Sequence, residues 1–183
     1  PFDVLVVCTG NIARSPMAEA LLREHLESRR AHARVHSAGT MAWDGPATEP
    51  AARAMSARGL DVSDHRSRPL TGALVAAADL ILGMTRNHVW GVQAFDAAAT
   101  NRTFLVAELP RLGARIGPRR PDETVRTWAG RAAAERQPGT VAGRGDEEIA
   151  DPYGEPGAVY EATAARLDGA ARAIAELLVP DGT

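Results

Sequence analysis

The sequence contains no lysine: its 21 basic residues are all arginine. That excludes a Walker-type nucleotide loop, which needs its lysine, and any Schiff-base mechanism. There is one cysteine, Cys8, so no internal disulfide can form and a reducing cytoplasm is the expected compartment. Phe2 already begins a strand, and no apolar run is long enough to span a bilayer, so neither a signal peptide nor a membrane span is expected. The 21 basic and 23 acidic residues nearly balance, and a net charge of −2 gives no general attraction to nucleic acid or membrane. His25, His32, His36 and His88 lack metal-ligand spacing, and neither a metal nor a cofactor is expected. No internal repeat is visible, and 183 residues make one ordinary domain with room for a core.

What is present centres on the first twenty residues. An apolar run at positions 4–7 delivers Cys8 into a short turn that ends in Arg14 and Ser15. The turn opens into a helix striped with Ala18, Leu21, Leu22 and Leu26. Ser15 reads as the N-cap, Pro16 as the first helical residue and Glu19 as an acid of the first turn. Successive amides in a tight loop at a helix N-terminus converge on a point that suits a tetrahedral oxyanion. Thr9, Gly10, Asn11, Ile12, Ala13, Arg14 and Ser15 therefore form a candidate phosphate-binding loop. The same field favours a thiolate at Cys8, and the planar fork of Arg14 can hold two phosphoryl oxygens. Gly10 and Asn11 best tolerate the left-handed backbone such a loop needs. A lone cysteine is more often a small buried apolar residue, and Cys-x5-Arg alone is a weak pattern. Its strand, Gly-Asn pair, Ser-Pro and helix make it a candidate site.

Strands are expected again at 34–37, 79–84 and 103–106, and helices at 46–59, 71–78, 86–95 and 157–179. This alternation predicts one α/β domain over 1–183, with a four-stranded parallel sheet flanked by helices on both faces and ligands at the carboxyl ends of its strands. Residues 117–148 differ in character. They are rich in arginine, glycine and proline, and Val125 and Trp128 are almost their only core formers. They read as an insertion with one helix over 121–135: a solvated surface excursion or, alternatively, a lid or recognition arm. Asp151 follows at once, and Pro152 fixes the backbone beside it. An acid there could protonate a leaving oxygen and later take a proton from water, although Asp-Pro is also an ordinary turn dipeptide.

The run from Cys8 to Pro16, with Ala18-Glu19 after it, resembles the signature loop of the low-molecular-weight protein tyrosine phosphatases. His36-Ser37-Ala38-Gly39-Thr40, Asp64-His65-Arg66-Ser67-Arg68 and Asp151-Pro152-Tyr153-Gly154 are also similar to that family, in its order. The resemblance extends to about Leu112 and resumes near Ile149. It implies Cys8 as nucleophile, Arg14 as phosphate clamp and Asp151 as general acid. It further implies a supporting network of Asn11, Ser15, Ser37 and His65, with Ser15 donating to the Cys8 sulfur, and a substrate wall of Ile12, Trp43 and Tyr153. The expected reaction is hydrolysis of a phosphomonoester, protein phosphotyrosine foremost, through phosphocysteine; the partner is then a phosphotyrosine protein or a small aryl phosphate. The same chemistry on a small-molecule phosphate, a silent phosphate-binding module and an arsenate reductase remain alternatives. The last lacks the further cysteines its thiol relay needs, because Ala13 and every other position but Cys8 is without a thiol. Oligomeric state is not legible in the sequence.

Overall fold

Four apolar stretches supply the strands β1 (Phe2–Cys8), β2 (Ala33–Gly39), β3 (Leu80–Gly83) and β4 (Thr103–Leu105). In the computed structural model, which describes residues 1–180, they pair in parallel in the order β2-β1-β3-β4. The register sets Cys8 beside Gly39 and Val7 beside Gly83, which brings the carboxyl ends of three strands to one edge.

Parallel neighbours require crossovers. Seven α-helices lie among the described residues: α1 (Arg14–Ser28), α2 (Glu49–Ser56), α3 (Gly72–Ala77), α4 (Arg86–Gln93), α5 (Glu108–Ile116), α6 (Val125–Ala134) and α7 (Gly157–Leu178). Side chains alternate along a strand, so Val4, Val6, Leu80 and Leu82 join the core under α1, α2, α5, α6 and α7. Leu5, Val7 and Ile81 join a second core under α3 and α4. The sheet is thus covered on both faces, as expected.

Three details depart from the sequence reading. Helix α5 had no counterpart in it; Pro110 falls in its first turn, where a missing N–H is harmless, while Leu109 and Leu112 bury one face. Helix α1 starts at Arg14 with Ala13 at the N-cap, so Ser15 is not the cap and Pro16 is not the first helical residue. Glu19 consequently lies beyond the first turn, where its carboxylate takes the Ser37 hydroxyl at 2.6 Å and pairs with Arg23.

The third correction concerns residues 117–148, which are no solvated excursion. Val125, Trp128, Ala129 and Ala132 of α6 are buried in the main core, and the Trp128 indole N–H donates to the Gly117 carbonyl at 3.0 Å. Arg136, just beyond α6, lies 4.6 Å over the Phe104 ring and donates to Glu108 at 2.8 Å and to the Thr103 carbonyl at 2.6 Å. Glu108 is wholly buried and also accepts the Leu105 amide. Arg119, Arg126, Arg131 and Arg136, four of the arginines that suggested solvation, donate instead to carbonyls and carboxylates of the protein.

Candidate active site

The loop between β1 and α1 is shaped from both sides. Asn11 has φ +56, the left-handed conformation, and that turn directs its amide at the Cys8 sulfur, 3.3 Å away. The Asn11 side chain reaches under the loop, donating to Ser15 Oγ at 2.8 Å and to Ser37 Oγ at 2.9 Å, and accepting the Arg68 amide at 2.9 Å. His65 donates its Nε2–H to the Asn11 carbonyl at 2.7 Å, and the Ser67 hydroxyl donates to the Gly10 carbonyl at 3.0 Å. A β-carbon at Gly39 would stand 2.5 Å from the Thr9 carbonyl oxygen, so the close approach of β2 to the loop requires glycine there.

Cys8 is 2 % exposed and its sulfur lies 2.9 Å from Ser15 Oγ. Because Asn11 already donates to that oxygen, the Ser15 hydroxyl proton is available to the sulfur. Without Ser15 as a cap, the amides of Arg14 and Ser15 at the start of α1 have no acceptor among the described residues, while Pro16 has no N–H and Met17 bonds back to Ala13. An uncapped helix start at the end of the cysteine loop is suited to an anion.

Arg14 is buried and doubly held: one nitrogen donates to the Ile149 carbonyl at 2.9 Å, another pairs with Asp151 at 3.3 Å. Ile149 is itself fixed by its amide on the Met84 carbonyl at 2.8 Å, so the end of β3 sets the position of the Asp151 loop. The Asp151 side chain is 49 % exposed and caps its own turn by accepting the Tyr153 amide at 3.1 Å. Trp43 and Tyr153 meet edge to face at 5.0 Å, both about half exposed. Cys8, Thr9, Gly10, Ile12, Ala13, Arg14, Trp43, Asp151 and Tyr153 line one cavity of about 60 Å³. The structure therefore brings together the thiol, the arginine, the aspartate and the aromatic pair that the sequence reading set far apart in the chain. Asn11, Ser15, Ser37 and His65 gather beneath the loop.

His88, which shows no metal-ligand spacing in the sequence, joins the loop in the structure. His88 is buried; its Nδ1 accepts the Thr85 amide at 3.0 Å and its Nε2 lies 2.9 Å from Thr9 Oγ1. Burial, reinforced by the charge of Arg14, pushes its pKa down to about 4 against the opposing pull of Asp151 and Glu148. The signal open to the sequence was its place three residues after Thr85 at the opening of α4, a capping position. A larger cavity of about 470 Å³ lies near α4, α5 and residues 137–144 and contains none of the thiol loop. There Arg86, Arg111 and Arg136 are already paired with Glu148, Glu147 and Glu108.

Fold and site together define an α/β protein whose loop after β1 sets Cys8 and Arg14 in one cavity at the carboxyl edge of a parallel sheet. Residues 3–108 match the family described as low molecular weight phosphotyrosine protein phosphatase, and the chain belongs to that family of cysteine-dependent phosphatases. It is 45 % identical over 107 residues to a probable low molecular weight protein-tyrosine-phosphatase, EpsP, of Ralstonia nicotianae, covering 58 % of this chain and 71 % of that one. It is 44 % identical over 87 residues to a protein-arginine-phosphatase of Bacillus subtilis, covering 47 % of this chain and 57 % of that one. The solved structure of a low molecular weight protein tyrosine phosphatase from T. tengcongensis superposes with a TM-score of 0.74 at 28 % identity, over 97 % of this chain and 100 % of that one.

Proposed function

We propose that this enzyme hydrolyses phosphotyrosine in proteins through a phosphocysteine intermediate. The observation that carries the reading is the single cavity uniting Cys8, Arg14 and Asp151 beneath Trp43 and Tyr153. In the first step the Cys8 thiolate attacks phosphorus. The sulfur–phosphorus bond forms as the phosphorus–oxygen bond to the phenol breaks, and Asp151 delivers a proton to the departing oxygen. Arg14 and the loop amides hold the equatorial oxygens as charge develops on them. A dianionic phosphate competes for the guanidinium that Arg14 otherwise shares with Asp151. In the second step Asp151 takes a proton from water, the water oxygen attacks phosphorus, and the thiolate departs with the Ser15 hydroxyl donating to it. Asn11, Ser37 and His65 keep the left-handed loop in shape throughout.

The wall selects the substrate. Ile12, Trp43 and Tyr153 present apolar and aromatic surface, which favours a flat ring over a flexible or charged carrier. The single thiol, which must stay reduced to act, is the reason to place the enzyme in the cytoplasm; among the described residues no helix is long and apolar enough to cross a membrane. The test is a substrate panel on the wild type and Cys8→Ser. Phosphotyrosine peptides are expected to turn over faster than metabolite phosphates or phosphoarginine peptides, and Cys8→Ser is expected to lose turnover while still binding vanadate. Preference for a metabolite phosphate would transfer the same chemistry to a small-molecule substrate, and turnover by Cys8→Ser would reject the mechanism.

A further inference from the structure

His88 and Thr9 form a pair that the mechanism above leaves unused. The direction of their hydrogen bond follows from one fixed donor: the Thr85 backbone N–H can only donate, so the His88 Nδ1 it points at is unprotonated. The ring is then a neutral tautomer carrying its proton on Nε2, and that proton goes to Thr9 Oγ1 at 2.9 Å. The Thr9 oxygen is an acceptor in this contact. Its own hydroxyl hydrogen has no protein acceptor among the described residues, and Thr9 lines the cavity beside Cys8 and Arg14.

We infer that His88 is a positioning residue which, through Thr9, turns the Thr9 hydroxyl proton toward the cavity as an additional donor to the phosphoryl oxygens of the substrate. A threonine with no histidine behind it could rotate, point its proton away and offer the phosphoryl group a lone pair. With Nε2–H occupying the acceptor side, that orientation is removed. The arrangement holds at every pH where the ring stays neutral. Burial and Arg14 depress its protonation, Asp151 and Glu148 oppose them, and the balance lies at about 4, below the neutral range in which a phosphatase of this class is expected to work. Space for the ring comes from Gly83 at the end of β3, where a β-carbon would stand 3.2 Å from His88 Cβ.

The inference rests on the phosphatase reading, and the experiment separates the two. kcat, KM and vanadate affinity are measured with p-nitrophenyl phosphate for Thr9→Val, Thr9→Ser, His88→Asn and the double variant Thr9→Val/His88→Asn. Asparagine can still accept the Thr85 amide but cannot reach Thr9, so it removes the donor while retaining the helix cap. Thr9→Val is expected to lower kcat/KM and vanadate affinity by roughly ten- to a hundredfold, the worth of a hydrogen bond to a charged group. Thr9→Ser is expected to recover most of that loss. His88→Asn is expected to lose rate in the Thr9 background and almost none once Thr9 is valine, the non-additivity of residues acting as a unit. Wild-type constants in Thr9→Val, or losses that multiply in the double variant, would overturn the inference, and the first of these decides even if His88→Asn fails to fold. Cys8→Ser is the control: if it is inactive while Thr9→Val is normal, only this inference falls, whereas activity in Cys8→Ser would remove the phosphatase reading beneath it.

Discussion

At the residue scale the decisive feature is which polar groups are fixed and which remain free to act. Asn11 spends its amide N–H on the Cys8 sulfur and its carbonyl and side chain on the groups around the loop. Ser15 accepts from Asn11 and keeps a proton for sulfur. His88 is the residue whose burial has a measurable cost. Its folded pKa of about 4 lies below the ordinary 6.5, so the folded state binds this proton more weakly than the unfolded chain does. The contribution to stability is complete above pH 6.5 and is lost as pH falls toward 4, amounting to about 3 kcal/mol across that window. Thermal melts between pH 7 and pH 4.5 are expected to show a steeper acid loss for the wild type than for His88→Asn; equal slopes would mean that His88 is not buried in its neutral form.

The loop itself is legible because its chemistry is local, whereas the network of Asn11, Ser15, Ser37 and His65 was implied only by the family resemblance. A cysteine, a glycine, an asparagine and an arginine between a strand and a helix describe an anion loop before any coordinate is known. Ser15 is a good capping residue in isolation, yet here its hydroxyl is drawn to the Cys8 sulfur instead of capping α1. The pairing of His88 with Thr9, 79 positions away, leaves no pattern in a single sequence.

At the scale of elements, the largest difference between sequence and structure is α6 and the residues after it. Composition suggested a solvated segment because an arginine run carries no mark of its acceptors. Arg136 and Glu108 form a pair buried on both sides, with side-chain exposures of 6 % and 0 %. Replacing one member leaves the other charged and without its partner in the core, which typically costs about 3 to 5 kcal/mol. Urea unfolding of Arg136→Met is expected to show a loss of that order, and the double variant Arg136→Met/Glu108→Leu is expected to be more stable than Arg136→Met alone. A loss below about 1 kcal/mol, the range of an exposed pair, would return this segment to the surface. Deletion of residues 117–148 is expected to unfold the protein, since it removes Trp128 from the core and the lead into the Asp151 loop.

At the scale of the whole molecule, one thiol in 183 residues has a consequence for oxidation. Peroxide reaching the Cys8 sulfur forms a sulfenic acid, which a neighbouring thiol can trap as a recoverable disulfide. Ala13 stands in the loop and offers none, so oxidised Cys8 must meet an external thiol, close on a backbone nitrogen or proceed to sulfinic acid. Peroxide is expected to inactivate the enzyme with only partial recovery in dithiothreitol, phosphate is expected to slow the loss, and Ala13→Cys is expected to improve recovery. Complete recovery of the wild type after prolonged exposure would show the sulfur to be protected.

The central claim is that phosphate passes through Cys8, and the most direct test traps it there. Nitrophenolate leaves without help from an acid, whereas the water of the second step needs a base, so Asp151→Asn should accumulate the intermediate during turnover of p-nitrophenyl phosphate. Acid quenching within the first turnover, followed by mass spectrometry, is expected to find a phosphoryl group on the peptide carrying Cys8 in amounts matching the nitrophenol burst. A burst with no phosphoryl group on that peptide, or with the group on another residue, would contradict the account.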